Sequence, residues 1–172
     1  MPRILLLLPV LFALAACRGE TPPHHGQPRA DGPAIEFRHD GELTFYREDG
    51  DIVTIAIEIA ETPAAIERGL MQRDGLPERS GMLFLMPDTR IQSFWMANTP
   101  LSLDITFVGP DSTVINTGKY TRPFSQQNVT SEAPARYVVE TVAGFTDSYG
   151  IVPGDRVRWR RGPASGGTVP VP

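Results

Sequence analysis

The sequence predicts a mainly β fold: a compact sandwich or small barrel of about seven to eight short strands with one or two short helices. Three observations predict it. Short stretches of alternating or continuous apolar residues recur between turn-forming clusters throughout residues 35–161. Proline and glycine are abundant, 17 and 16 of 172 residues, which favours many turns over long helices. The regular helical patterns that a parallel α/β sheet needs between its strands are missing.

The first residues stand outside that fold. Arg3 precedes the apolar run Ile4 to Ala13, and Leu14-Ala15-Ala16-Cys17 follows. This is the layout of a signal peptide over residues 1–16, with an apolar core too short to span a bilayer. The Leu-Ala-Ala-Cys ending resembles the lipobox of bacterial lipoproteins, which implies lipidation of Cys17 as the mature N-terminus. Cys17 is the chain's single cysteine, so no disulfide, thiolate metal site or thiol catalyst is expected in the domain. Residues 17–34 turn to Pro, Gly, His, Gln and Arg and read as a flexible tether. Its adjacent His24 and His25 read as a solvated pair rather than metal ligands, and no cofactor or metal is expected. The expected location is therefore the exported side of a bacterial membrane, facing the periplasm and held there by lipid on Cys17. The lipoprotein resemblance also favours the outer membrane, because Arg18 stands where an aspartate often retains such proteins at the inner one. With 16 basic against 20 acidic residues, a net charge of −4 and no basic stripe, nucleic acid is excluded as a partner.

Along the domain, residues 42–47 and 52–60 read as two strands joined by a hairpin at Asp49-Gly50, a pair that tolerates positive φ. Thr62 and Pro63 mark the start of a short helix, as cap and first-turn residue, with Ile66 and Leu70 on one face. That helix is expected to end near Met71 to Arg73. Gly81 to Met86 is a continuous apolar run and reads as a buried strand. Ser93 to Ala97 is a second strand. Between Leu101 and Val108, Leu101, Leu103, Ile105 and Phe107 face one way, and Ser102, Asp104 and Thr106 the other. Thr113 to Thr117 returns, and residues 118–133 are polar and irregular, a long loop. Arg136 to Val142 alternates again, with Tyr137, Val139 and Thr141 opposed to Val138, Glu140 and Val142. Phe145 to Gly150 reads as a helical turn or short helix, and Arg156 to Arg160 as the last strand, with Trp159 half-buried. Residues 162–172 carry no core pattern and read as a disordered tail.

The functional candidates concentrate between Gly81 and Phe107, where Met82, Phe84, Met86, Phe94, Trp95 and Met96 surround Asn98, Thr99 and Asp104. Asp104 in an apolar strand needs partners if buried. Arg68 is one candidate, as a bidentate ion pair, and backbone N–H groups are another. The functional alternative makes Asp104, Asn98 and Thr99 the polar floor of a cleft walled by Trp95 and Phe94, with Arg68 beside it. Trp95, Phe94, Tyr120 and Tyr137 could stack on flat ligands, although aromatics in strands are more often core. Met71, Met82, Met86 and Met96 suit Cu(I) chemically but read as gap-filling core. Asp104 and Glu140 would make a general acid and base if they faced one cavity, the arrangement of a glycan-cleaving enzyme. Serine chemistry has no support, since His39 is the folded region's one histidine and no Gly-x-Ser-x-Gly occurs.

Several motifs in one order add a resemblance. Arg68-Gly69-Leu70-Met71, Gly81-Met82-Leu83-Phe84, Phe94-Trp95-Met96, Asn98-Thr99, Leu103-Asp104-Ile105, Phe107, Glu140, Gly144 and Gly154-Asp155 resemble DUF192, a bacterial and archaeal family. The resemblance spans residues 42–160 and implies a mainly β, often exported domain with no established reaction. Ala97 departs from it, standing where the family commonly has lysine. The expected function is a non-catalytic module that binds a ligand or partner through Arg68, Phe94, Trp95, Asn98, Thr99 and Asp104. A glycan, a cell-wall fragment and an envelope protein remain open as its target. The competing class is an envelope hydrolase or glycan-modifying enzyme using Asp104 and Glu140.

Overall fold

The alternation read along the chain becomes nine strands and two short helices in a computed structural model that describes residues 35–162. The expected signal peptide, Cys17, the expected tether and all but the first residue of the expected tail lie outside the described residues.

Strands β1 (Gly41–Arg47) and β2 (Gly50–Ala60) form the hairpin expected at Asp49-Gly50, with Gly50 at a φ of 135°. Helix α1 (Pro63–Arg68) starts as its residues dictate: the Thr62 side chain accepts the Ala65 N–H at 3.2 Å, and Pro63 fills the first turn. It stops short of Met71 because Gly69 leaves helical geometry at a φ of 46°. Strand β3 (Ser80–Arg90) then runs parallel to β2, so α1 lies in the crossover connection that joins two parallel neighbours in an otherwise antiparallel sheet. The remaining elements are β4 (Ser93–Phe94), β5 (Leu103–Val108), β6 (Val114–Gly118), β7 (Val129–Thr130), β8 (Ala135–Val142), α2 (Phe145–Ser148) and β9 (Arg156–Arg161). The stretch read as one long loop contains β7, which pairs with β4; two residues are too few to leave a periodic signal.

Seven strands form one mixed sheet in the order β6-β5-β8-β3-β2-β1-β9. Its two end strands approach each other: Thr113 bridges Arg156, and the Val157 N–H donates to Ser112 O at 2.9 Å. The sheet is therefore curled and stitched at its seam, without closing into a barrel. One buried cluster draws on strands from both ends, including Leu43, Phe45, Ile57, Leu83, Val139, Val114 and Val157, and so fills the inside of the curl. A second, with Met82, Phe84, Leu103, Ile105, Phe107 and Val138, covers the outside of the central strands. Leu70 after α1 and Met96 after β4 complete it, so both faces of β3, β5 and β8 are buried. Continuous apolar runs such as Gly81 to Met86 follow from that double burial.

A cleft over the outer face of the sheet

Register decides where the two carboxylates of interest point. Asp104 pairs with Thr141 across β5 and β8, and Ile105 pairs with Glu140. Residues directly opposite share a face and sequence neighbours alternate, so Asp104 and Glu140 point to opposite faces of the sheet. Two carboxylates separated by a sheet cannot act on one bond, which removes the acid–base pair expected of a hydrolase.

Asp104, at 0% exposure, is closed on its own chain. Its Oδ1 accepts the N–H groups of Tyr120 at 3.0 Å and Gly144 at 3.1 Å. Oδ2 accepts the Thr146 N–H at 3.0 Å and the Thr146 hydroxyl at 2.7 Å. Arg68 is not among these partners; of the two structural roles weighed for Asp104, the capping of backbone N–H groups is the one present. The aspartate ties β5 to the start of α2 and to the residues after β6.

Glu140 is different in kind. It is 5% exposed, and its carboxyl makes no hydrogen bond or ion pair with any described residue. Met82 and Ile105 flank it on the neighbouring strands, and Phe84 and Gly69 lie close by. Burial alone pushes its carboxyl up to about 8, so it holds a proton at neutral pH. A side chain at Gly69 would come within 3.3 Å of Phe84 and 3.9 Å of Glu140 Oε2, so the bare glycine lets the end of α1 close over this carboxyl.

The acid lines the floor of a cleft of about 290 Å³. Arg68 and Met71 from the α1 end border it, with Arg90 from the end of β3 and Ile91, Phe94, Trp95 and Thr99 from the segment that follows. Phe94 is fixed by edge-on contacts with Phe84, centroids 5.1 Å apart, and Phe107, 6.1 Å apart. Trp95, which its strand position favoured as core, is instead 55% exposed, and Ile91 beside the cleft is 50% exposed. Four of the six expected binding residues, Arg68, Phe94, Trp95 and Thr99, thus meet at one cleft. The other two do not. Asn98 is exposed and serves a turn, at a φ of 58° that asparagine tolerates, its carbonyl accepting the Gln72 N–H at 2.8 Å. Asp104 is structural, as described.

Among curated proteins no sequence matches this chain. The sequence profile of DUF192, described as "Uncharacterized ACR", matches residues 44–159. The chain belongs to DUF192. Crystal structures similar to it include the following two. One, from Sinorhizobium meliloti 1021 and described as a candidate transcription regulator, is 30% identical with a TM-score of 0.68, covering 74% of this chain and 98% of the other. The other, a protein of unknown function from Novosphingobium aromaticivorans DSM 12444, is 32% identical with a TM-score of 0.66, covering 76% and 95%.

In this DUF192 domain the motifs have divided labour. Arg68-Gly69, Phe94-Trp95, Thr99 and Glu140 line the cleft. Asp104 and Gly144 form the clamp on α2. Asp155 ties the end of β1 to the start of β9 by accepting Arg47 Nε at 2.9 Å, while its backbone carbonyl accepts the Val114 N–H at 2.7 Å across the seam of the curl. Met82, Met86 and Met96 are buried in the outer apolar cluster. Residues of the 118–133 stretch border a separate hollow of about 280 Å³ with Met96, and none of them lines the Glu140 cleft. One buried pair escaped the sequence reading: Glu58, fully buried on β2, accepts Arg73 Nη2 at 2.7 Å and the Arg38 N–H at 3.0 Å. The polar Glu58 inside an Ile-rich strand was the available signal, but nothing in the sequence singled out Arg73 as its partner.

Proposed function

We propose that this DUF192 domain is a non-catalytic binding module whose Glu140 cleft takes a small ligand, carried on the exported face of a membrane by lipid on Cys17. One observation carries the reading of the site: a buried acid without a partner faces an open cleft walled by an exposed tryptophan. Burying a polar group without a partner is costly, and a ligand supplying the missing hydrogen bond would offset that cost. The concave shape and small volume favour a ligand of about one ring over a protein partner, which calls for a broader, flatter apolar surface. The lipid anchor rests on Leu14-Ala15-Ala16-Cys17 and on the tether that follows. The regulator description of the Sinorhizobium meliloti relative is not carried over, because an acidic chain without a basic stripe is poorly suited to DNA.

The test is a screen of soluble ring-containing fragments against the domain from Arg18 onward, read by thermal stabilisation and by chemical-shift changes. Hits should perturb Trp95, Thr99 and Glu140, and Trp95→Ala should weaken them by about tenfold. The reading falls if no fragment binds, or if every hit is indifferent to Trp95→Ala.

A further inference from the structure

Resting on that reading, we propose that the cleft selects a small ring-bearing carboxylate, its charge met by Arg68 and Arg90, its ring on Trp95, with Glu140 donating a hydrogen bond. Three features of the cleft point this way. The first is the balance of donors and acceptors. A protonated Glu140, two guanidinium groups and the Ser93 hydroxyl offer many donors, whereas the one charged acceptor in the lining is the exposed Glu67.

The second is the state of the arginines. Elsewhere in the domain, Arg38, Arg47, Arg73, Arg158 and Arg161 each pair with a carboxylate of the same chain. Arg68 and Arg90 are exposed, and their guanidinium groups make no hydrogen bond or ion pair with any described residue. Guanidinium forks left open at a cleft mouth suit a planar carboxylate.

The third is the isolation of the acid. The α1 end brings Glu67 and Arg68 towards the cleft, and the end of β3 brings Arg90. Met82 and Phe84 of β3, Ile105 of β5, and Phe94 and Trp95 add no titratable group. Glu58 lies in the same row as Glu140, on the far side of Met82, and is already closed on Arg73. The electrostatics of the cleft are therefore set by two arginines against one exposed glutamate. An ammonium ligand would meet repulsion at the mouth and would have to displace the Glu140 proton. A carboxylate meets attraction and a ready donor.

The experiment titrates the domain with benzoate and glucuronate beside matched neutral and cationic probes: benzyl alcohol, glucose, benzylamine and glucosamine. At pH 6.5 a carboxylate should bind at least tenfold more tightly than its neutral and cationic counterparts. Its affinity should fall about tenfold by pH 9, where roughly nine-tenths of Glu140 has lost its proton. Glu140→Gln keeps an N–H donor and cannot titrate, so it should bind alike at both pH values. Arg68→Gln and Arg90→Gln should each weaken binding and reduce its salt dependence. A neutral or cationic probe that binds as well as its carboxylate overturns the ligand class and leaves the cleft standing as a site. Failure of all six probes beside positive fragment hits also overturns the class. Failure of the fragments as well removes the binding module itself.

Discussion

Glu140 sits between Met82 and Ile105 in the register of the sheet, with no partner for its carboxyl. Its value of about 8, against an ordinary 4.5, has a direct consequence for stability. Between those limits the folded domain holds a proton that the unfolded chain has released. Stability therefore falls as pH rises, by at most about 1.4 kcal/mol per pH unit, and levels off above the folded value. The accumulated cost is on the order of 5 kcal/mol. Glu140→Gln should remove this slope, matching the wild type near pH 4.5 and exceeding it by several kcal/mol at pH 8. Urea unfolding of both proteins across that range measures it; parallel curves would show that the acid is solvated or paired. A residue held at such a cost in the free protein suits a site better than a scaffold.

At the scale of elements, Asp104 does what a longer helix or a disulfide would do elsewhere. Helix α2 spans four residues and its N-cap is Gly144, which has no side chain to cap with. Asp104 on β5 supplies the missing acceptor from across the fold and takes the Tyr120 N–H as well. Asp104→Asn would turn an NH₂ group toward donors and leave part of this set unsatisfied. The expected loss is about 3–5 kcal/mol, seen as a lower denaturation midpoint, with ligand binding at Glu140 retained in the fraction that stays folded. A variant of unchanged stability would refute the clamp. The strands themselves were legible because β1, β2, β5, β8 and β9 carry period-two or continuous apolar patterns over five or more residues. What escaped were β7, with two residues, and the parallel pairing of β2 with β3, since a strand's sequence does not name its neighbour.

For the whole molecule, a carboxylate beside the seam contributes to acid stability, together with Asp40, Glu61, Asp111 and Asp147, which are also held below their ordinary values. Asp155 accepts Arg47 Nη2 at 2.8 Å and the Val152 N–H at 2.9 Å, next to the backbone bridge between the sheet's ends. Desolvation pushes its carboxyl up, but the bonds from Arg47 and Val152 outweigh this and hold it below the ordinary 3.8. A depressed carboxylate stabilises above its unfolded value and loses that contribution as pH falls through the folded one. Together with the rise in cost from Glu140 above 4.5, thermal stability should peak near pH 4–5. Asp155→Asn should blunt the acid limb of that profile and leave the alkaline limb, whereas Glu140→Gln should do the reverse. Scanning melts of the three proteins separate these outcomes.

The sequence by itself determined the mainly β class, the run of strands and turns, the hairpin at Asp49-Gly50 and the capped start of α1. Each follows from local chemistry: alternation along a strand, the φ freedom of glycine, the acceptor on threonine. It also determined the alternation within β5 and within β8, so that Asp104 opposes Ile105 and Glu140 opposes Thr141 in direction. Only the tertiary structure decided how those two alternations align. Pairing Asp104 with Thr141 sent one carboxylate to the clamp on α2 and the other to the floor of a cleft. A shift of one residue in that register would have placed both on the same face, because side-chain direction in a sheet has a period of two.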